Sequence, residues 1–153
     1  MVRIWNEIVE EGTAFPQTEF LTEETGKTFF DEQSWCGVAQ EAESEEILGL
    51  YILHPNNVGR CGQICNASFA VSSEARGKQI GRELVKDCLL QAPRLGFNIL
   101  QFNAVVASNT PARKLYENLG FVQLGVIPEA FRMKDGHYED IVLYYHRLLQ
   151  DQI

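Results

Sequence analysis

Residues 69–82 combine residue types that bind a phosphate group. They read FAVSSEARGKQIGR, so an apolar run leads into a glycine-containing turn and an amphipathic helix follows. Free backbone N–H groups at the start of a helix and the positive end of its dipole attract anions. Arg76, Lys78 and Arg82 add positive charge, while Gly77 and Gly81 allow close approach of a ligand. The segment therefore predicts a site for the pyrophosphate of a large cofactor, and an exposed basic turn is the alternative.

Residues 109–121, which read NTPARKLYENLGF, form a second group of chemically capable side chains. If Pro111 takes the first helical position, Thr110 is the helix cap and the Asn109 side chain is free to bind a ligand. Tyr116 follows about one and a half turns later, beside the apolar face of the same helix. An ordinary capped helix with a half-buried tyrosine fits the same residues.

Together the two segments resemble the GCN5-related N-acetyltransferase (GNAT) superfamily. The family signature is Gln or Arg, two residues, Gly, one residue, and Gly or Ala, which compares with Arg76, Gln79 and Gly81. Gln79 departs from the signature where glycine is usual, and this narrows the approach to the pyrophosphate unless the position only lends its amide. Asn109 and Tyr116 match the family's asparagine near pantetheine and its tyrosine before a Leu-Gly-Phe ending. The resemblance extends over residues 47–148.

The resemblance implies acetyl-CoA as the cofactor and direct transfer of its acetyl group to an amine. Tyr116 is then the acid that protonates the departing sulfur, and the Val71 amide is the oxyanion donor. The base is left open between a water chain and four side chains: His54, His137, Glu139 and Asp140. The cofactor-binding residues that the family pattern implies are Phe69, Ala70, Val71, Arg76, Gly77, Lys78, Gln79, Ile80, Gly81, Arg82, Asn109, Ala112 and Tyr116.

Residues 10–17 and 131–140 carry a looser likeness to the subgroup that acetylates L-azetidine-2-carboxylate and other small amino acids. In that subgroup an asparagine on the strand before the phosphate loop touches the acceptor, and Asn66 is the matching residue. We expect Phe15 to bind the acceptor as well, although a polar residue at a strand edge is an equal interpretation of Asn66. A small-molecule amine is therefore the expected acceptor. A protein N-terminus or lysine is the alternative, as is a non-catalytic domain that senses acyl-CoA.

Composition and charge narrow the class of protein. The chain has 153 residues, of which 45% are hydrophobic, and this suits one acetyltransferase domain over residues 1–153. A net charge of −8 argues against a nucleic-acid partner. The chain has no signal-peptide pattern and no run near the roughly 20 apolar residues of a membrane span, so we expect a cytoplasmic protein without a membrane partner. The oligomeric state is left open, with a homodimer as one candidate.

The cysteines give no metal-binding pattern. Cys36, Cys61, Cys65 and Cys88 form no CxxC pair, and no set of nearby histidines completes a zinc site. We therefore expect no metal and read all four as free thiols in a reducing compartment.

The elements that must position these residues follow from hydrophobic periodicity and turn signals. Helices are predicted over residues 2–11, from Thr22, from about Ile80 to the Pro93–Gly96 segment, and from Thr110 to Gly120. Strands are predicted over residues 34–40, 47–54, 63–71, 97–107, 121–127 and 138–148. This order indicates an α/β (α+β) fold, a single mixed and mostly antiparallel twisted sheet with helices on both faces. The usual first strand of the GNAT fold is missing from the predicted order.

Overall fold

A computed structural model describes residues 1–149 of the chain. The elements, in chain order, are α1 (Val2–Glu11), α2 (Glu23–Asp31), β1 (Trp35–Gln40), β2 (Ile47–Pro55), β3 (Ile64–Val71), α3 (Ile80–Arg94), β4 (Ile99–Val106), α4 (Thr110–Asn118), β5 (Val122–Arg132) and β6 (Tyr138–Arg147). Short 3-10 turns cover Gly59–Cys61 and Ser73–Ala75. Within residues 1–149 no strand precedes α1, as the sequence predicted, and no helix is long and apolar enough to cross a membrane.

All six strands belong to one sheet with the order β1-β2-β3-β4-β6-β5. Neighbouring strands of this sheet are antiparallel, except β3 and β4, which are parallel to each other. The β3–β4 pairing is short, because it joins only Ile64 to Ile99 and Cys65 to Leu100. After these two residue pairs β3 and β4 are no longer paired, so an open fork lies between the two strands at the centre of the sheet.

Alternating side chains of β2 show that helices cover both faces of the sheet, which confirms the predicted fold. Leu50 and Ile52 pack with Trp5 of α1 in one cluster. Tyr51 and Leu53, one residue out of phase, pack with α3 and α4 in the other cluster. Since successive side chains of a strand point to opposite faces, α1 and α2 lie on one side and α3 and α4 on the other.

The two N-terminal helices form where their sequence signals predict them. α1 ends at Gly12, which takes the left-handed conformation with φ 63°. α2 starts with a capping box in which Thr22 and Thr25 exchange hydrogen bonds. Gly26 inside α2 costs helix propensity, yet a Cβ at this position would lie 2.4 Å from Cγ2 of Val2. Glycine therefore lets the two helices approach each other closely.

The C-terminal hairpin is longer than the sequence predicted. β5 continues past Ile127 to Arg132, with register shifts between Gln123 and Gly125 and between Ile127 and Phe131. These bulges interrupt the two-residue alternation from which a strand is recognised, so the sequence placed the end of β5 too early.

Candidate active site

A cleft of about 590 Å³ opens at the fork between β3 and β4. Its walls come from the α1–α2 loop, the end of α2, the facing parts of β2, β3 and β4, and the start of α4. Asn66, Phe69, Asn109, Ala112 and Tyr116 are among its lining residues. Phe15 lines it as well, so the cleft brings these six predicted positions together. The other predicted cofactor-binding residues, Ala70, Val71 and residues 76–82, do not line it.

The backbone of β3 has amides without strand partners at the fork. The N–H of Ser72 donates to the Leu48 carbonyl at 2.8 Å, and the register with β2 is continuous from Gly49 opposite Val71. Backbone groups along an antiparallel strand alternate in direction, so the N–H groups of Phe69 and Val71 point toward β4. Because β4 no longer pairs there, the Val71 amide is available at the fork, which suits the predicted oxyanion donor.

Asn66 lies at the point where the fork opens. Its side-chain Nδ2 donates to the backbone carbonyl of Gln101 at 2.8 Å, which supplies a partner that the strand ladder no longer gives. Asn66 also lines the cleft. The residue therefore holds the fork together in addition to any contact with an acceptor.

The phosphate loop has the backbone conformation of an anion site. Gly77 and Gln79 both take positive φ, 81° and 66°, and Gln79 is the residue before α3. Positive φ near a helix start turns consecutive N–H groups toward one point. Gln79 therefore occupies a left-handed conformation that disfavours residues with a Cβ, which gives the physical reason why glycine is usual at this position.

Carboxylates of α1 bind the same loop. Glu7 accepts a hydrogen bond from the N–H of Ser73 at 3.0 Å, and Glu11 forms an ion pair with Arg76. Lys78 is exposed, and no ion pair to a described residue engages Lys78 or Arg82. The loop thus keeps cations for a phosphate, while Arg76 is shared with α1.

The prediction for Asn109 was wrong in one respect. Asn109 itself is the cap of α4, since its Oδ1 accepts from the N–H of Ala112 at 3.3 Å. Thr110 lies inside the first turn and its hydroxyl approaches the Ser108 carbonyl at 3.5 Å. Asparagine is as strong a cap as threonine, and Pro111 is tolerated anywhere in the first turn, so the helix starts one residue earlier. Only Nδ2 of Asn109 remains for a ligand.

Tyr116 is held between aromatic rings in the cleft wall. Its ring lies 4.5 Å from the centroid of Phe102 and 5.5 Å from that of Phe121. Burial raises the pKa of the Tyr116 phenol above its ordinary value, and the nearby Cys88 and Tyr144 raise it further. The hydroxyl therefore stays protonated at neutral pH, as a proton donor must.

The four side chains considered as the base lie in different parts of the structure. His54 lines the cleft. His137 instead contacts Asp135 and Glu139 on the β5–β6 hairpin, and Asp140 accepts from the N–H of Glu129 at 2.9 Å. Of the side chains proposed as a base, His54 is therefore the one that the cleft contains.

The α1–α2 loop meets the β5–β6 hairpin beside the cleft. The N–H of Lys134 donates to the Gly12 carbonyl at 3.1 Å, and its Nζ lies 3.1 Å from a carboxylate oxygen of Glu10. A second cleft of about 580 Å³ lies between these segments and shares Phe15 with the first. Phe15 is buried against Trp5, 4.5 Å between ring centroids. The two segments with the looser sequence likeness are thus neighbours in space.

Glu32 and Gln33 also line the cleft, and sequence reasoning missed both. They follow the last turn of α2, where nothing in the local pattern distinguishes them from solvent-facing polar residues. The burial of Oε1 of Gln33 without a hydrogen-bond partner is visible only after the chain folds.

The fold combines an open fork in a mixed sheet with a glycine-containing loop at a helix start. Residues 2–121 match the family described as Acetyltransferase (GNAT) family, and the chain belongs to it. The resemblance inferred from the two motifs is thereby confirmed at the level of the family. No comparison identifies the azetidine-carboxylate subgroup, which stays a prediction.

Three proteins are similar to this chain in sequence or in structure. It is 41% identical over 102 residues to the N-acetyltransferase aca1 of Schizosaccharomyces pombe, covering 65% of this chain and 49% of that protein, so the match spans about half of that relative. A GCN5-related N-acetyltransferase of Kribbella flavida has a similar structure, with a TM-score of 0.87, 34% identity, and coverage of 97% and 90%. A phosphinothricin acetyltransferase of Sinorhizobium meliloti, solved in complex with acetyl-CoA, gives a TM-score of 0.88 at 21% identity, with coverage of 99% and 83%, and so shares the fold.

Proposed function

We propose that this protein transfers the acetyl group of acetyl-CoA to the amine of a small molecule, such as an amino acid or an amino-acid analogue. The observation that carries the proposal is the cleft at the β3–β4 fork, because Tyr116 lines it and the Val71 amide, which has no strand partner on the β4 side, lies on the same strand as the lining residue Phe69. Family membership supports the acetyl transfer, and the acceptor is the part that experiment must decide.

The residues present fit acetyl-CoA. Exposed N–H groups beside Gly77 and Gln79, with Lys78 and Arg82 nearby, suit the charge of a pyrophosphate. The fork leaves backbone amides of β3 without strand partners, and these suit the amide groups of a pantetheine arm. The S. meliloti structure with bound acetyl-CoA supports the same cofactor.

Acetyl-CoA supplies a thioester, whose carbonyl carbon an amine attacks directly while the carbon–sulfur bond breaks. The Val71 N–H is oriented to stabilise the negative charge that develops on the carbonyl oxygen. Tyr116 holds a proton for the leaving sulfur, and its raised pKa keeps that proton in place beforehand. His54, or a water in the cleft, accepts the proton that the amine loses. The products are an N-acetyl amide and a free thiol.

A small acceptor is supported by the segments beside the cleft. The α1–α2 loop lines the cleft through Phe15, and the N–H of Lys134 joins this loop to the β5–β6 hairpin at the Gly12 carbonyl. These are the two segments that resemble the subgroup acetylating small amino acids. The name of the S. meliloti neighbour, a phosphinothricin acetyltransferase, also supports an amino-acid-like acceptor.

Thiol release from acetyl-CoA, measured over a panel of amines, tests the proposal. The panel contains the common amino acids, L-azetidine-2-carboxylate, the matching amino-acid amides, a peptide with a free N-terminus and an N-capped peptide with one lysine. We expect release with at least one amino acid and little with the peptides. Release with peptides alone would assign a protein acceptor, and acetyl-CoA binding without release over background would assign a sensing domain.

A further inference from the structure

We propose that Tyr144 is a positioning residue, whose buried hydroxyl holds α4 in the orientation that keeps Tyr116 in the cleft wall. The inference rests on the proposed function, in which Tyr116 protonates the departing sulfur. It gives the hydrogen bonds of Tyr144 to Arg113 and Glu117 a role in catalysis, although none of these three residues lines the cleft.

The helix that carries Tyr116 has little apolar anchoring of its own. α4 has nine residues, all of them described, and none of them is buried. Leu115 and Tyr116, with Leu119 just after the helix, pack against the core cluster as partly buried side chains. Hydrophobic contacts are non-directional, so they leave the rotation of a short helix about its own axis weakly fixed. Hydrogen bonds have preferred directions and can fix that rotation.

The Tyr144 hydroxyl joins two side chains of α4 that flank Tyr116 in the sequence. It accepts from Nε of Arg113 at 3.0 Å and donates to a carboxylate oxygen of Glu117 at 2.8 Å. Residues four apart lie on one side of a helix, so a single phenol can bridge Arg113 and Glu117. Tyr144 lies on β6 and is fully buried. Because a strand of the sheet supplies the bridge, the two bonds fix the rotation of α4 against the sheet.

The Arg113 guanidinium extends this network to two further parts of the sheet. Its Nη1 donates to the Ala107 carbonyl just after β4 at 3.1 Å, and its Nη2 donates to Oε1 of Gln123 on β5 at 3.4 Å. The donors of a guanidinium have fixed relative directions, so this side chain resists rotation of the helix. The Tyr116 ring lies 6.2 Å from that of Tyr144, between centroids. A rotation of α4 would therefore change where the Tyr116 hydroxyl points.

Single-turnover kinetics of Tyr144→Phe test the inference, with the amino acid that the panel shows to be the best acceptor. The variant keeps the ring in the core and removes the bridging hydroxyl. We expect the rate of acetyl transfer to fall roughly 10- to 100-fold, as for a catalytic group displaced by about 1 Å. Tyr145→Phe is the matched control, because it removes a hydroxyl from the next residue of β6, on the opposite face of the sheet. Its rate should equal that of the unmodified protein.

A double-mutant cycle separates positioning of Tyr116 from a general structural role. Without the Tyr116 hydroxyl there is no acid to position, so adding Tyr144→Phe to Tyr116→Phe should change the rate less than about twofold. Glu117→Gln keeps an acceptor for the Tyr144 hydroxyl, so its rate should fall less than that of Glu117→Ala. An equal loss from Tyr144→Phe in both backgrounds, or no loss in either, would overturn the inference.

Hydrogen exchange tests the anchoring of α4 without any acetylation. The amides of α4 should exchange faster in Tyr144→Phe than in Tyr145→Phe, whereas the amides of α3 should exchange equally in the two variants. Equal exchange of the α4 amides would also contradict the inference. If no amine of the panel is acetylated, the proposed function itself fails, and hydrogen exchange still decides whether Tyr144 holds α4.

Discussion

Tyr116 is the side chain whose replacement reports most directly on the chemistry. Tyr116→Phe removes the hydroxyl and keeps the ring that packs against Phe102 and Phe121. We expect turnover to fall about 10²- to 10⁴-fold, as for loss of a general acid, with acetyl-CoA affinity nearly unchanged. Single-turnover kinetics together with calorimetric binding of acetyl-CoA measure the two effects. Equal turnover in the two proteins would remove Tyr116 as the acid.

Gln79 is strained where the family usually has glycine. Its φ of 66° costs a residue with a Cβ about 1–2 kcal/mol, so Gln79→Gly should stabilise the protein by roughly 0.5–1 kcal/mol after the entropy of glycine is subtracted. Gly77→Ala is the matched opposite change in the same loop. A Cβ at Gly77 would meet no atom within 4 Å, yet φ is 81°, so the loss of stability should come from strain alone. Urea unfolding measures the expected gain in the free energy of unfolding for Gln79→Gly and the expected loss for Gly77→Ala.

The opposite result in either variant would show that the loop relaxes out of the left-handed conformation. Acetyl-CoA affinity of Gln79→Gly should be equal to or tighter than that of the unmodified protein. Without the Gln79 Cβ, the backbone amide can approach the pyrophosphate more closely.

At the scale of elements, α1 links the phosphate loop to the acceptor side. Its Glu11 pairs with Arg76, and its Glu10 contacts Lys134 of the β5–β6 hairpin. If Arg76 binds the pyrophosphate as we propose, the Glu11 carboxylate would compete with phosphate for Arg76 and place negative charge near it. Glu11→Gln should therefore tighten acetyl-CoA binding about two- to fivefold at low salt, by calorimetry.

Both partners of the Arg76–Glu11 pair are more than a third exposed, so its loss should change the free energy of unfolding by less than about 1 kcal/mol. Glu43→Gln, in the exposed β1–β2 turn, removes the same charge from a residue that has no ion pair with a described residue, and serves as the control. Weaker acetyl-CoA binding in Glu11→Gln would mean that Glu11 orients Arg76 toward the phosphate instead of competing for it.

The β5–β6 hairpin carries a charge cluster that should make its stability depend on pH. Hydrogen bonds that the His137 ring donates to the carboxylates of Glu139 and Asp135 raise the pKa of His137 above its ordinary value of 6.5. The folded state therefore holds this proton more tightly than the unfolded chain, and the resulting stabilisation is complete below pH 6.5 and is lost as the pH rises through the raised pKa. Asp135 makes a second contribution, because a hydrogen bond from the backbone N–H of His137 is the main cause of its lowered pKa. This stabilisation is lost as the pH falls through that lowered pKa and the Asp135 carboxylate becomes protonated.

Thermal unfolding of the unmodified protein and of His137→Gln, compared at about pH 6 and pH 8.5, measures this contribution. The difference in Tm between the two proteins should be larger at the lower pH. A difference that is the same at both pH values would contradict a protonated His137 as its source.

At the scale of the whole molecule, the two edges of the sheet are unequal. β5 is an edge strand of 11 residues in which Val122, Leu124 and Val126 are 51%, 56% and 48% exposed. Long apolar edge strands pair readily with a second copy. If the protein is the homodimer that was left open as a candidate, we propose β5 as its interface and expect Leu124→Lys to shift the protein from dimer to monomer in light scattering after size exclusion.

Val38→Lys provides the control on the opposite edge. Val38 lies on β1 and is 47% exposed, so the same charge is added at a comparable site. The dimer should persist in this variant. A monomeric unmodified protein at micromolar concentration would refute the dimer, and dissociation by Val38→Lys alone would move the interface to β1.

Much of this molecule follows from the sequence because its signals are local. The helix periodicity of residues 2–11, the Thr22 cap, and the glycines of the phosphate loop each act within a few residues. Such short-range patterns placed most helices and strands close to their observed bounds, and the two motifs in their order were enough to indicate the family. The bulged end of β5 and the cap of α4 were placed wrongly, because bulges interrupt the strand alternation in β5 and because Asn109 and Thr110 are both suitable caps for α4.

The working geometry of the candidate site depends on contacts between distant parts of the chain. The fork exists because β3 and β4 pair over two residues and then stop, which frees the Val71 amide and requires Asn66 to satisfy Gln101. The orphan oxygen of Gln33 appears only once tertiary packing removes it from water. Strand divergence and desolvation are set by the whole fold, whereas residue type and spacing set the phosphate loop. The sequence alone thus determined which cofactor chemistry to expect, and the tertiary structure decided how an acceptor can reach it.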